Sequence, residues 1–337
     1  KRINNMKIAI VNSSSFGKIF PDHIKKLEKI GQVDRFEVDQ NIDGKTLGQM
    51  LRDYQYIIAS VTPFFDKDFF ENVSDLRLIS RHGIGYNNID LLSAKEKGVV
   101  VSIVPSLVER DSVAENNITN LLALMRMTIN SCEEVKNDKW ENRAKFVGNS
   151  IYHKTVGVIG VGNTGSQVAR TLREGFQCKV LGYDPYKDKL ELDQFGVEKV
   201  DFDTLLENSD AICLCANLTK ENYHMINKNT ISKMKDGVYI SNTARGALIN
   251  QKDMIEALKN KKVKALATDV LEVEPARDNH PFLKFDNVIL TPHTSAYTKE
   301  CLYAMGENCV NDVYNVHNKR LPKRCVQKES PFVEKDF

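Results

Sequence analysis

Residues 154–165 read Lys154-Thr-Val-Gly-Val-Ile-Gly-Val-Gly-Asn-Thr-Gly165, and they indicate the class of fold. An apolar run rich in Val is followed by three glycines spaced as Gly-x-Gly-x-x-Gly, and residues 166–174 then have helical character. A strand, a glycine turn and a helix in direct succession form the phosphate-binding unit of a parallel α/β sheet. We therefore expect a doubly wound sheet around this stretch.

Each glycine of the turn is needed for a different physical reason. Gly160 permits a tight turn, Gly162 lets the backbone approach a pyrophosphate, and Gly165 lets the helix pack closely on the strand. The start of the helix then presents free N–H groups and the positive end of its dipole to the phosphates. The predicted cofactor-binding residues of the turn are Gly160, Gly162, Asn163, Thr164 and Gly165.

An acidic residue lies where the next strand ends, about 20 residues after the glycine turn. Asp184 closes the run Val180-Leu-Gly-Tyr-Asp184, where a carboxylate can accept hydrogen bonds from the hydroxyls of an adenosine ribose. The same negative charge would repel a 2′-phosphate. The glycine turn and Asp184 together predict NAD rather than NADP as the cofactor.

Strand-like runs alternate with helical segments along the chain, which is the pattern of parallel sheets covered by helices. The runs that we interpret as strands are 6–11, 56–59, 78–79, 99–102, 154–160, 180–184, 211–216, 238–241, 265–268 and 288–290. The length of 337 residues fits two domains, because single cores stop growing near about 250–300 residues. The predicted fold class is α/β, with two doubly wound Rossmann-like domains and parallel sheets.

Composition narrows the classes of function. The chain is 42% hydrophobic and 27% charged, and its formal net charge of +2 creates no field that would attract nucleic acid or an anionic membrane. No apolar run reaches the roughly 18–20 residues of a membrane span, and the first residues lack the pattern of a secretory signal. We expect a cytoplasmic protein without nucleic-acid or membrane partners, and we interpret the basic run 319–324 as solvated surface.

Seven cysteines are scattered without Cys-x-x-Cys spacing, and an odd number argues against a disulfide framework. Cys213 and Cys215 lie in the apolar run 211–216, which favours buried strand residues over metal ligands. We therefore expect reduced thiols and no metal site.

The character of the sequence changes at Pro105, which ends the last strand of the first group. We expect Glu109-Arg-Asp111 to form a short charged loop and a long helix to begin at Ser112, with Glu115 in its first turn. Apolar residues recur at helical spacing from Ile118, so this helix should run to about Met127. We expect it to cross from one domain to the other.

Arg245, Glu274 and His293 form a second group of candidate residues. Arg245 and His293 each follow a predicted strand, and the carboxyl ends of parallel strands face one crevice. A guanidinium suits the carboxylate of a 2-keto acid, and a histidine donates a proton near neutral pH. Beside a dinucleotide site, these residues predict hydride transfer between NAD and a small 2-keto or 2-hydroxy acid.

These motifs resemble those of the D-isomer-specific 2-hydroxyacid dehydrogenase family over nearly the whole chain. Besides the glycine turn, the segments that carry the resemblance are Arg81-His-Gly-Ile-Gly-Tyr-Asn-Asn-Ile-Asp90, Ser112-Val-Ala-Glu115, Asn242-Thr-Ala-Arg-Gly246, Glu274-Pro275, His280-Pro281 and Thr291-Pro-His293. The resemblance implies that Arg245 holds the carboxylate and carbonyl of the substrate and that His293 exchanges the proton. Glu274 would hydrogen-bond His293 and favour its protonated form.

The family fold further implies two domains with an active-site cleft between them. A discontinuous, flavodoxin-like substrate-binding domain would comprise residues 1–106 plus 298–337, and the NAD-binding Rossmann domain would comprise residues 107–297. The loop Gly83-Ile84-Gly85 would lie against the substrate carboxylate, while Thr243 and Asp269 would contact the nicotinamide end of the cofactor. Relatives usually pair through their nucleotide domains, so we expect a homodimer.

Several positions depart from the family pattern. Asn87 stands where Asp is usual, Asn116 where His commonly follows Ala-Glu, and Asn217 where Pro usually precedes Leu-Thr. The loop 105–111 is about one residue longer than usual, although no departure removes a catalytic group. Because this loop borders the cleft in relatives, a particular substrate does not follow from the resemblance.

Two alternatives stay open beside a general 2-keto acid reductase. One is a member specific for 3-phosphoglycerate or hydroxypyruvate. For 3-phosphoglycerate, Arg81 or Arg110 would be a candidate phosphate ligand, although a surface position is favoured for both. The other is an NAD(H)-sensing, corepressor-like binding protein on the same fold, because such proteins keep similar site residues.

Overall fold

The chain folds as two units, each built around one parallel sheet. The computed structural model describes residues 6–326; one unit combines residues 6–108 with 298–326, and the other is Glu109–Tyr297. The first boundary falls after Val108 rather than after residue 106. The two parallel sheets with interleaved helices confirm the predicted α/β class.

The helices and strands of the described residues follow each other in the order typical of doubly wound folds. In chain order they are β1 Lys7–Val11, α1 Pro21–Leu27, β2 Gln32–Phe36, α2 Gly44–Met50, β3 Tyr56–Ala59, α3 Lys67–Asn72, β4 Leu78–Arg81, α4 Leu91–Glu96, β5 Val100–Ile103, α5 Ser106–Arg126, α6 Thr128–Lys136, β6 Thr155–Ile159, α7 Asn163–Phe176, β7 Lys179–Tyr183, α8 Lys189–Asp193, β8 Glu198–Lys199, α9 Phe202–Asn208, β9 Ala211–Leu214, α10 Lys228–Lys233, β10 Val238–Asn242, α11 Gln251–Lys259, β11 Val263–Thr268, β12 Val288–Leu290 and α12 Lys299–His317. Short 3-10 helices occur at Trp140–Phe146, Gly246–Leu248 and Pro281–Lys284.

The sheet of the discontinuous unit has the strand order β2-β1-β3-β4-β5. Strands β3, β4 and β5 are buried at every position, because helices cover both faces of a parallel sheet. The edge strand β2 was missed by the sequence analysis. Its sequence Gln32-Val-Asp-Arg-Phe36 is polar, since one edge of the strand meets solvent, and it therefore lacks the continuous apolar run of a central strand.

The sheet of Glu109–Tyr297 has the strand order β12-β11-β10-β9-β6-β7-β8. Six of these strands were predicted from their apolar runs, and Cys213 is a buried residue of β9 as expected. The seventh, β8, has only two residues and forms the other edge, so it has no apolar pattern to detect. The residues missed in both units therefore belong to sheet edges.

The predicted loop at Glu109-Arg-Asp111 is wrong, because α5 already begins at Ser106 and runs without interruption to Arg126. Pro105 lies directly before the helix, where it interrupts no helical hydrogen bond, and Glu109 lies near the positive end of the helix dipole. Glu and Arg are also good helix formers. The charged stretch therefore extends the helix toward its N-terminus, and the boundary between the two units falls inside α5.

A buried carboxylate anchors α12 to the sheet of the discontinuous unit. Asp312 Oδ2 accepts hydrogen bonds from Ser80 Oγ of β4 at 2.9 Å, Ser102 Oγ of β5 at 2.5 Å and Asn308 Nδ2 at 3.2 Å. Burial raises the pKa of Asp312 to about 6, although the two serine hydroxyls oppose the shift. Because the folded state holds this proton more tightly than the unfolded chain, stability falls as pH rises through about 6.

Asp312→Asn should therefore stabilise the protein at alkaline pH. The amide keeps a hydrogen-bonding group in place without a buried charge, and a shift of about two pKa units corresponds to about 3 kcal/mol. The free energy of urea unfolding should favour the variant by an amount that approaches this value near about pH 8 and shrinks toward about pH 4. A stability difference that does not change with pH would contradict the ionisation of Asp312 as its cause.

Candidate active site

The glycine turn joins β6 to α7, and its three glycines have different steric surroundings. Gly160 has φ +86°, and a Cβ there would lie 2.6 Å from the backbone nitrogen of Ala216. A Cβ at Gly165 would lie 1.9 Å from the carbonyl oxygen of Gly160, so helix and strand touch at this point. A Cβ at Gly162 would meet no atom of the described residues within 4 Å. The turn is therefore open where a phosphate would approach.

Asp184 directly follows β7, and its carboxylate faces the glycine turn. Oδ2 accepts the Val161 N–H at 2.9 Å and Oδ1 accepts the Tyr186 N–H at 3.0 Å, while the residue is 8% exposed. Asp184 thus holds the glycine turn in shape, which the sequence analysis did not foresee. A cavity of about 400 Å³ adjoins this residue and is lined by Tyr183, Asp184, Pro185, Lys189, Lys199, Val200 and Asp201.

Three neighbouring strands carry candidate site residues at their carboxyl ends: two of the catalytic set and one predicted cofactor contact. Arg245 follows β10, Asp269 follows β11 and His293 follows β12, and these strands are adjacent in the order β12-β11-β10. The sheet is parallel, so the three loops share one edge. The group that the sequence separates by up to 48 positions is thereby assembled within one unit.

Glu274 and His293 form a direct pair. His293 Nδ1 lies 2.9 Å from Glu274 Oε2, and Glu274 Oε1 accepts the Leu271 N–H at 2.9 Å. Burial opposes ionisation of Glu274, but the hydrogen bond and charge of His293, the Leu271 N–H and the charge of Arg245 together hold the pKa of its carboxyl below the usual value. The carboxylate is therefore available to orient an imidazolium, whose Nε2 is turned away from the pair.

Arg245 is half-buried beside this pair, and its Nη1 donates to the carbonyl oxygen of Ala244 at 2.7 Å. The next residue explains how the loop is packed: a Cβ at Gly246 would lie 1.9 Å from the carbonyl carbon of Leu271. The backbone after Arg245 therefore lies directly on the loop that leads to Glu274. The remaining donors of the guanidinium can serve a carboxylate in the bidentate geometry that it favours.

Asp269 is the structural centre of the loop that carries His293. Its buried carboxylate accepts four hydrogen bonds, which equals the number of lone-pair sites of a carboxylate. The donors are Thr291 Oγ1 at 2.6 Å, Thr294 N at 2.9 Å, Ser295 N at 2.8 Å and Ser295 Oγ at 2.5 Å. The sequence analysis missed these partners, for which the hydroxyl-rich run Thr291-Pro-His-Thr-Ser295 is the only signal.

His293 itself has a left-handed backbone, with φ +55°. Its N–H donates to the carbonyl oxygen of Asp269 at 2.9 Å, so the loop after β12 closes onto the end of β11. A non-glycine residue keeps such a conformation when its surroundings hold it there. Asp269 thus determines where the imidazole stands through both its backbone and its side chain.

The loop Gly83-Ile84-Gly85 belongs to the discontinuous unit, where it follows β4. Arg81 lies beneath this loop: it is 5% exposed, its Nη1 donates to the His82 carbonyl oxygen at 2.8 Å, and a Cβ at Gly83 would lie 2.9 Å from Nη1. The favoured surface position of Arg81 is therefore wrong, because the last residue of a central strand is covered by the loop that follows it. Arg110 is partly exposed and pairs with Asp111 at 2.8 Å.

Asp22, His23 and Glu307 form the one group with metal-like spacing that the described residues contain. The Lys26 ammonium contacts Glu307 and lies 3.4 Å from Asp22 Oδ2. The ammonium therefore already supplies a positive charge to both carboxylates of this group. None of the helices within residues 6–326 has the length and apolar character needed to cross a membrane.

Comparison with known proteins adds a family to this geometry. The model of the D-isomer specific 2-hydroxyacid dehydrogenase, NAD binding domain, matches residues 118–295, which confirms NAD as the predicted cofactor. The chain is 37% identical to the hydroxypyruvate reductase of Thermotoga maritima over 82% of this chain and 89% of the relative. The structure of apo D-lactate dehydrogenase from Escherichia coli matches with a TM-score of 0.83 at 31% identity, over 96% of this chain and 100% of that chain.

A longer relative is also similar. The D-3-phosphoglycerate dehydrogenase of Archaeoglobus fulgidus is 38% identical over 86% of this chain, but the match covers 54% of the relative. The chain thus spans about half the length of that curated relative.

Proposed function

This chain belongs to the D-isomer specific 2-hydroxyacid dehydrogenase family, and from that premise we propose that it reduces a 2-keto acid to a D-2-hydroxy acid with NADH. The observation that carries the proposal is the 2.9 Å pair of Glu274 and His293 beside Arg245, at the edge of the sheet that bears the glycine turn. NADH consumption should be measured with pyruvate, glyoxylate, hydroxypyruvate and 3-phosphohydroxypyruvate. Absence of turnover with every 2-keto acid would contradict the proposal.

The three residues divide the work in this proposal. Arg245 binds the substrate carboxylate and polarises the carbonyl oxygen. When bound, NADH would supply the hydride for the carbonyl carbon. His293 passes the proton on Nε2 to the carbonyl oxygen, which yields the hydroxy acid and a neutral imidazole. Glu274 accepts from Nδ1 and stabilises the imidazolium that precedes the transfer. Solvent then returns the proton to His293.

The cofactor would lie along the carboxyl edge of the same sheet. Its pyrophosphate would meet the open backbone at Gly162 and the helix start formed by Asn163 and Thr164, where N–H groups and the helix dipole favour an anion. Asp184 would bind the adenosine ribose. The nicotinamide end would reach Thr243 and Asp269, and Asp269 would act there mainly through the loop of His293, because its four acceptor sites are already used.

NADH should support much higher kcat/KM than NADPH. The Asp184 carboxylate lies at the end of β7, where its negative charge would repel a 2′-phosphate. Asp184→Ser should narrow the ratio between the two cofactors, and it should also weaken NADH binding because Val161 loses its acceptor. The check is kcat/KM for both cofactors in both proteins. Equal use of NADH and NADPH by the unmodified chain would contradict the assignment.

We propose that the discontinuous unit binds the substrate, with Gly83-Ile84-Gly85 against the carboxylate. Gly83 supports this role, because its φ of +152° is a backbone conformation that residues with a side chain rarely adopt. A substrate carrying phosphate remains the second candidate, favoured by the phosphoglycerate dehydrogenase relative. Burial of Arg81 weighs against it, since this guanidinium already serves main-chain carbonyls. A corepressor-like binding protein would bind NADH without consuming it.

The chain should form a homodimer, for which α6 and the 3-10 helix Trp140–Phe146 provide a surface. The structure describes both elements in full, and neither buries a side chain. Trp140 and Val147 are 68% and 79% exposed, and a partner subunit would bury this apolar surface. Light scattering should give twice the mass of one chain, and Trp140→Glu should shift it toward the monomer. A monomeric parent at micromolar concentration would contradict this proposal.

We also propose that the protein acts in the cytosol. The seven cysteines, all within the described residues, are free thiols, and Cys178, Cys213, Cys301 and Cys309 are buried. Burial raises the pKa of the Cys309 thiol to about 12, so this group stays protonated and unreactive. Free thiols are typical of a reducing compartment.

A further inference from the structure

Two adjacent asparagines on α5, Asn116 and Asn117, contact the two loops that carry Arg245 and His293. They lie in the middle of a 21-residue helix, where asparagine is less favourable than the apolar and long-chain residues that usually fill such positions. Residues adjacent on a helix point in different directions, about 100° apart. The two amides therefore reach different loops from one rigid element.

Asn117 contacts the Arg245 side of the site. Its side chain is fully buried, and Nδ2 donates to Thr243 Oγ1 at 3.0 Å and to the Ser241 carbonyl oxygen at 3.5 Å. Ser241 Oγ donates in return to the carbonyl oxygen of Asn117 at 2.9 Å. Thr243 precedes Arg245 by two residues. Asn117 thus ties α5 to the end of β10 and to the loop that continues into Arg245.

Asn116 contacts the His293 side. Its Nδ2 donates to Ser295 Oγ at 2.8 Å, and that hydroxyl donates onward to Asp269 Oδ2 at 2.5 Å. Ser295 follows His293 by two residues and also gives its N–H to Asp269. Asn116 therefore joins α5 to the hydrogen-bond cluster that holds His293 in its left-handed conformation.

We propose that Asn116 and Asn117 are positioning residues that set the separation between the guanidinium of Arg245 and the imidazole of His293. The inference rests on the proposed function, because only a substrate that meets both groups at once makes their separation matter. Hydride and proton transfer to one carbonyl group tolerate little misplacement, and an error of about 1 Å can cost about 10²-fold in rate. An uncharged amide donor suits this task, since its hydrogen bonds do not change with pH.

The two asparagines should have separable effects on the kinetics. Asn116→Ala should lower kcat by about threefold to tenfold, the range that one hydrogen bond spans, and should move the alkaline limb of the pH profile. Asn117→Ala should instead raise KM for the keto acid by a similar factor, because it loosens the Arg245 loop. Asn116→His keeps a nitrogen donor and should restore much of the loss.

Asn120→Leu provides the matched control on the same helix. Asn120 is buried one turn further along, and its Nδ2 has no hydrogen-bond partner among the described residues. Replacing it should leave kcat, KM and the pH profile unchanged. If Asn116→Ala and Asn120→Leu behave alike in these measurements, the asparagines only pack the core and the proposal is overturned.

If the single variants lose stability, a double-mutant cycle still tests the contact between Asn116 and Ser295. Asn116→Ala and Ser295→Ala remove the two ends of one hydrogen bond, so their effects on kcat should be non-additive, and additive effects would contradict the link. A second readout needs no turnover: NMR signals of the His293 imidazole and of the Arg245 Nε–H. Asn116→Ala should move the first, Asn117→Ala the second, and Asn120→Leu neither.

The NMR readout separates the two hypotheses. An inactive parent protein whose His293 signal still changes in Asn116→Ala would contradict the proposed function and support the positioning role. An active parent whose NMR signals and kinetics do not change in either asparagine variant would support the proposed function and overturn the positioning role.

Discussion

His293→Ala is expected to lower kcat for keto-acid reduction by about 10²–10⁴-fold, the usual worth of a general acid. The imidazole would deliver the proton to the developing alkoxide, while Glu274 Oε2, which lies 2.9 Å from Nδ1, would hold the ring in place. Cofactor affinity should change little, which fluorescence titration with NADH can check. His153→Asn is a suitable control, because His153 is exposed and asparagine tolerates its left-handed backbone. A loss smaller than about tenfold would remove His293 from the proton transfer.

The pair itself can be tested with Glu274→Gln. Without the carboxylate, the imidazolium loses its stabilising charge, so the alkaline limb of kcat/KM for reduction should move toward lower pH. Glu272→Gln is the matched control: its carboxylate lies on the same loop but pairs with His224 Nε2 at 2.9 Å and accepts from Tyr223. An alkaline limb that stays in place or moves upward in Glu274→Gln would exclude the pairing as a functional one.

Arg245→Ala is expected to damage KM and kcat together. The guanidinium would bind the substrate carboxylate in both ground and transition states and would polarise the carbonyl as well. Removing one partner of a hydrogen-bonded charge pair costs about 2–5 kcal/mol, so kcat/KM should fall by roughly 30-fold to several thousandfold.

Arg245→Lys separates charge from geometry. The ammonium keeps the positive charge but not the planar fork that matches a carboxylate, so it should recover only part of the loss. If Arg245→Ala leaves KM for the keto acid unchanged, the carboxylate is bound elsewhere.

The two units differ little in how far their strands could be predicted. Central strands such as β3 and β9 are buried at every position, and their continuous apolar runs identify them without further information. The polar edge strand β2 and the two-residue β8 have no such run, because solvent contacts them on one side. Their place in a sheet depends on the neighbour that they pair with, which local sequence does not encode.

The start of α5 shows the opposite error, because the local sequence suggested a loop where the structure has a helix. A proline followed by Glu109-Arg-Asp111 suggested a charged loop, yet the same residues are helical. Charge alone does not distinguish a loop from a solvated helix face, because both are hydrated. Helix propensity and the N-terminal position of the proline both favour the helix.

The amino-acid sequence by itself determined which residues carry the proposed chemistry: the spacing of Gly160, Gly162 and Gly165 after an apolar strand, and the residue types at positions 245, 274 and 293. These signals are local, since a turn, a strand end and a functional group are each encoded within a few residues. Only the tertiary structure decided how the groups are held. The four hydrogen bonds to Asp269 and the contacts of Asn116 and Asn117 join residues that are remote in sequence. Such contacts exist only once parallel strands bring their carboxyl ends to one edge and a helix packs against the loops that follow them.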